Sequence, residues 1–335
     1  RYKNMLDCGK VTDTIYKRSV RKVIERKVSG AVSQGDAIRD ISHFKSKSGN
    51  PIAAATAVLS GDNLASAGAV HLAVNRLATV GSRPSLVNIQ IIVPEDLSEK
   101  SIKELVGAAA ESCEKLQIAS VQADVTAAAG LKEPMITVMA SGESGSLFES
   151  EKACADQDII MAGYTGGYGA AKLTFANEAE LENHFNSVFL SPILEADYTG
   201  DAISTVKAVE AAAAAGVRTM YACGEGGVYS AVWELAENAG LGARIQLKKV
   251  PLKQETVEIC DYFNISPYQL LSVGAVLLTA THGQKVLAEL AAAGIPAVII
   301  GHLTDDNDRV VLNEEEVRFL EPFRYESLNQ AKSES

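Results

Sequence analysis

Between Pro51 and Pro94 the apolar residues change their period twice, and that switching limits the chain to a layered fold of strands and helices. Ala53–Leu59 reads as a strand and Leu64–Val80 as a helix rich in Ala, Leu and Val. Leu86–Val93 carries β-branched residues at alternate positions and stops at Pro94. Asp96 or Ser98 caps a helix over Glu99–Gln117, with apolar residues at Ile102, Leu105, Val106, Ala109, Cys113 and Leu116. Ile118–Asp124 and Met135–Ser141 complete a β-α-β-α-β-β half. The polar stretch GESGSLFESEKACADQ then sets it apart from the strand Asp158–Ala162, which puts a domain boundary near residue 150.

The second half mixes the strands Val217–Ala222, Ala243–Leu247, Ala275–Ala280, Ala297–Gly301 and Val310–Leu312 with the helices Val228–Ala239, Gln254–Phe263 and Gly283–Ala293. The expected class is α+β, with domains over 1–150 and 151–325 and a polar tail over 326–335. Ahead of Pro51, residues 10–28 are basic and form a helix with a thin hydrophobic stripe.

The chain has 335 residues, too many for one ordinary core and about right for two. Its net charge is −11 without a basic block, which argues against nucleic acid or an anionic membrane as the main ligand. Five scattered cysteines without a CxxC pair suggest reduced thiols in a cytoplasmic protein. No apolar run is long enough to span a bilayer, and RYKNMLDCGK lacks an apolar signal core.

Two glycine clusters sit between a strand and a helix. In the first, AGYTGGYGAAK, the residues Gly163, Gly166, Gly167 and Gly169 free the backbone to offer N–H groups at a helix N-terminus, where an anion is favoured. Neither GxxxxGK[ST] nor GxGxxG is matched, so a phosphate cradle and a tight strand-to-helix turn both remain open. The second is CGEGG, with Glu225, Gly226 and Gly227. Cys223 there is either an activated thiol or a small buried residue in a packed turn. His71, Asn75 and Arg76 lie on the Ala-rich helix, and a buried amide and guanidinium need partners. Asp36, Asp62 and Asp124 are carboxylates at loop or strand-end positions, suited to Mg²⁺ if they converge.

Taken in order, AVHLAVNRLATVGSRP, VQADVTAAAGLKEPMITVMASG, DIIMAGYTGGYGAAKL, MYACGEGGVYSAVWELAENAGLGARI and IPAVIIGHLTDD resemble the aminoimidazole ribonucleotide synthase (PurM-like) superfamily over nearly the whole chain. KVTDTIYKRSVRK and VPLKQETVEICDYF resemble in particular its synthase-related, hydrogenase-maturation-factor-like branch.

The resemblance implies a two-domain fold whose N-terminal domains pair into a β-barrel across a homodimer, with ATP and Mg²⁺ in the cleft beside it. It implies nucleotide contacts from Asp36, Asn75, Arg76, Asp124, the 163–169 glycines and Glu225, Gly226 and Gly227, with Asp36 and Asp124 toward the metal. Several positions depart from the pattern. Arg76 stands where relatives carry an acid after Asn75, SVQAD replaces Gly-Gly-His-Thr-Glu, and Ala222 takes an acid's place. Two functions follow as expectations: ATP-dependent activation of a small substrate, or a non-catalytic dimeric binding or assembly protein on the same scaffold.

Overall fold

The computed structural model describes residues 10–27 and 40–322; Cys8 and Asp36 lie outside them. The basic segment is helical over 13–27. There α1 (Asp13–Ile15) and α2 (Lys22–Lys27) flank a π-helical stretch, Tyr16–Arg21.

The first half is one five-stranded sheet built from β1 (Ile41–Lys45), β2 (Pro51–Ser60), β3 (Leu86–Pro94), β4 (Ser120–Ala128) and β5 (Met135–Glu143). Their order is β1-β2-β5-β3-β4, so β5 inserts antiparallel between β2 and β3 while β3 and β4 run parallel. A parallel pair needs a crossover. It is α4 (Glu99–Lys115), which Ser98 caps by accepting from Ser101 N.

The helix α3 (Asn63–Thr79) starts where the Asp62 carboxylate accepts from the amides of Leu64 and Ala65, and every residue from Leu64 to Thr79 is buried. A helix buried all round has neighbours on all sides. α3 meets the sheet and α4 of its own half, and its remaining surface meets the second half of the chain, including Ala170, Ala171 and Leu173 of α5 (Gly167–Ala176). The core of the first half is therefore continuous with part of the second.

The second half is a seven-stranded sheet of order β12-β11-β8-β10-β6-β9-β7. Its strands are β6 (Asp158–Ala162), β7 (Thr219–Ala222), β8 (Gly242–Gln246), β9 (Val276–Ala280), β10 (Ala297–Thr304), β11 (Arg309–Asn313) and β12 (Glu316–Phe319). Alternation along β6 divides its side chains between two layers. Ile159 and Met161 pack with α9 (Gly227–Ala239). Ile160 and Ala162 pack with α8 (Val206–Ala214) and α11 (Gly283–Ala292). The helices α6 (Glu178–His184), α7 (Ser187–Leu194) and α10 (Gln254–Tyr262) complete the described elements with two short 3₁₀ turns. Among the described residues no helix is long and apolar enough to cross a membrane.

Candidate functional site

Buried polar groups on α3 must find partners, and they find them in the second half. The Asn75 amide donates from Nδ2 to Ile203 O at 2.9 Å and accepts from Thr205 N at 2.9 Å. Its neighbour Arg76 reaches in another direction. Nη1 donates to Thr56 O of β2 at 2.7 Å, and Nη2 meets Glu225 Oε2 at 2.6 Å and Asp40 Oδ2 at 3.1 Å. Lys10 pairs with Asp40 and lies 3.6 Å from Glu225.

The result is an enclosed cluster of two cations and two carboxylates, with the Tyr221 hydroxyl hydrogen-bonded to Glu234 beside it. Burial alone would disfavour the Arg76 charge, but Asp40 and Glu225 outweigh it and raise its pKa. Burial pushes Glu225 up, Arg76 and Lys10 pull it down, and the carboxyl ends below its ordinary value. Glu234 ends above its ordinary value because burial dominates there.

The two glycine turns lean on one loop, residues 263–275. In the first turn Gly166 has φ +72°, and its N–H donates to Ser272 Oγ at 2.7 Å. Gly169 donates to Leu271 O at 2.9 Å, and a Cβ there would sit 2.4 Å from Leu270 Cγ. A Cβ at Gly163 would lie 2.5 Å from Gly274 O. These three glycines permit close packing. Gly167 differs: a Cβ there would meet nothing within 4 Å, and it faces a cleft of about 370 Å³ lined also by Tyr164, Tyr198, Lys207 and Lys253. In the second turn Gly226 and Gly227 have φ +74° and +61°, and Ser272 N donates to Gly224 O at 3.0 Å. Burial pushes the Cys223 thiol up to about 12, so it is the small packed residue and not an activated thiol.

Arg76 and Glu225 thus come together, with Gly226 and Gly227 in the turn that follows Glu225, while Asn75 faces Ile203 and Thr205. Asp124 does not join them. It lies exposed on the edge strand β4, opposite Gln90 of β3 and three strands from Thr56, on the order of 15 Å away at the usual strand spacing. Asp36 is outside the described residues.

The fit to Mg²⁺ can be tested on these residues. Among the described residues no group of three or more His, Cys, Asp or Glu is placed to hold a metal ion. The two carboxylates that do converge, Asp40 and Glu225, already face Arg76 and Lys10. A divalent ion 4 Å from a guanidinium is repelled by about 8 kcal/mol at an effective dielectric near 20. The cluster therefore does not fit Mg²⁺. Lys10, Asp40, Glu234 and Ser272 are absent from the sequence reading, because nothing local marks residues that pair across such chain distances.

Two α+β domains tied through one buried helix, with paired strand–glycine–helix turns against it, define a class of protein. Residues 28–144 match the profile of the AIR synthase related protein N-terminal domain, and 166–313 match that of the C-terminal domain. The chain belongs to the AIR synthase related family.

A Methanocaldococcus jannaschii protein described as a hydrogenase expression/formation protein is 24% identical over 73% of this chain and 71% of its own. Carbamoyl dehydratase HypE of Rhizobium leguminosarum bv. viciae is 22% identical over 72% and 69%. Among solved structures, HypE in the HypE–HypF complex superposes with a TM-score of 0.68 at 18% identity, covering 91% of this chain and 99% of that one. HypE in complex with ATP gives 0.66 at 17%, covering 94% and 97%. The fold is the two-domain PurM-like fold.

Proposed function

We propose that the chain binds ATP, or another phosphate-bearing ligand, at the cleft of a homodimer and uses it to activate a small substrate. The observation that carries this reading is the pair of glycine turns, joined through Ser272 and anchored on α3, with Gly167 open to a cleft that holds Lys207 and Lys253. A related HypE bound to ATP supports it.

In this reading Gly163 and Gly167 line the phosphate side of the cleft. Gly166, Gly169, Gly226 and Gly227 shape the turns, and Asn75, Arg76 and Glu225 position them. Asp36 and Asp124 reach the ligand from elsewhere. Mg²⁺ enters as the counter-ion that ATP carries, with Asp36 and Asp124 as its candidate protein ligands. The chain acts in the cytoplasm as a homodimer, and a HypF-like partner is a further candidate, given the HypE–HypF complex.

A second reading, a dimeric assembly protein without ATP chemistry, is favoured by one observation: the donors of Arg76 are engaged by the protein itself. Calorimetric titration with ATP, with and without Mg²⁺, separates the two. Saturable heat at one ATP per chain is expected. No heat in either condition rejects nucleotide binding and leaves the assembly reading.

A further inference from the structure

The geometry points to a closed metal position: we infer that Arg76 and Lys10 act as fixed organic cations between Asp40 and Glu225, in the place a divalent ion would take. Three oxygens from three separate parts of the chain converge on one guanidinium. They are Thr56 O at 2.7 Å, Glu225 Oε2 at 2.6 Å and Asp40 Oδ2 at 3.1 Å. Oxygens gathered in this way are what a hard cation requires.

The gathering centres on the Arg76 guanidinium, with Thr56 O on Nη1 and both carboxylates on Nη2, and a guanidinium cannot lose its proton to make room. Lys10 adds a second positive charge against the same two carboxylate oxygens. The side chains of all four residues are less than one-fifth exposed, so water screens the arrangement little. Lys10 lies just ahead of helix 13–27, and Lys17 within that helix meets Glu237 of α9 at 3.0 Å. The helix next to the second cation therefore has its own anchor. The consequence is that the cluster takes up no divalent metal. This holds whether or not the cleft beside Gly167 accepts a nucleotide, because it concerns the cation position alone.

Mn²⁺, added without nucleotide to the full chain, tests it through the electron paramagnetic resonance of the free ion and through thermal unfolding. Wild type is expected to leave the Mn²⁺ signal undiminished and its melting temperature unmoved. Arg76→Asp combined with Lys10→Gln removes both blocking cations and adds an oxygen ligand. That variant should take up one Mn²⁺ per chain and melt higher with Mn²⁺ than without, and adding Glu225→Gln should abolish both effects. A doubly substituted chain that folds only when Mn²⁺ is present also supports the inference. Stoichiometric Mn²⁺ uptake by wild type that Glu225→Gln removes would overturn it without recourse to the double variant. So would a folded protein carrying both Arg76→Asp and Lys10→Gln that takes up none.

Discussion

At the scale of single residues, His71 carries the sharpest consequence. It is fully buried on α3, with Nε2 donating to Thr199 O at 3.0 Å, and burial lowers its pKa from 6.5 to about 4 against the smaller upward pull of that hydrogen bond. In the unfolded chain the imidazole takes up a proton below about 6.5, and in the folded chain only below about 4. Between those values the unfolded chain binds more protons, so acid favours unfolding. The loss begins near 6.5 and is complete near 4, where it reaches about 3 kcal/mol. Urea unfolding near neutrality and near pH 4 should show His71→Gln losing less stability than wild type by about that amount. Equal losses would mean that another group titrates. The sequence marks His71, Asn75 and Arg76 as polar residues on an apolar helix, and that much of the site is legible. Which partners satisfy them is not, since Thr199, Ile203 and Glu225 lie more than a hundred residues away.

At the scale of elements, α3 and α5 are seated on each other through Gly68 and Tyr168. The Tyr168 hydroxyl donates to Leu64 O at 2.6 Å, and a Cβ at Gly68 would lie 1.9 Å from that oxygen. Tyr168→Phe removes only the hydrogen bond, at about 1 kcal/mol. Gly68→Ala drives a methyl into the ring and should cost more, toward the upper part of about 1–3 kcal/mol for overpacking. Chemical denaturation of the two variants checks the order, and a neutral Gly68→Ala would show that the seat is loose. Elements that bury one face were readable beforehand. The strands and helices of the first half from Ala53 to Ser141 lie where their periods put them, except that β4 is shifted from the expected Ile118–Asp124 to Ser120–Ala128, which leaves Asp124 in mid-strand. β1 escaped because four of its five residues are exposed, and β12 because all four are. α7 escaped because Pro192 interrupts a short apolar run, and α6 is a single polar stretch with one buried leucine. The glycine turns were visible as strand–turn–helix junctions. Their shared support, the loop around Ser272, was not, because a turn's sequence does not say what packs against it.

At the scale of the molecule, the five-stranded sheet has helices on one face only among the described residues. The alternation of its strands puts Phe44, Val58, Leu86, Met135 and Met139 on the other face, each between 37% and 45% exposed. Asp124 lies on that face too, in the row that runs Val58, Thr137, Gln90, Asp124 across the sheet. A second copy laid face to face would cover these side chains twice over, for a gain on the order of 10 kcal/mol. Association costs about 4–15 kcal/mol, so the proposed dimer would depend on keeping the apolar patch whole. The same pairing gives Asp124 a route to a ligand held near Arg76, since within one chain β5 and β3 lie between their strands. Met139→Asp places an unpaired charge in the middle of the patch while leaving the helix-covered face untouched. Sedimentation velocity should show wild type as a dimer and the variant as a monomer, with unchanged far-ultraviolet circular dichroism and, if the site spans two chains, weaker binding of ATP. A monomeric wild type would remove the dimer, and with it the route by which Asp124 joins the site.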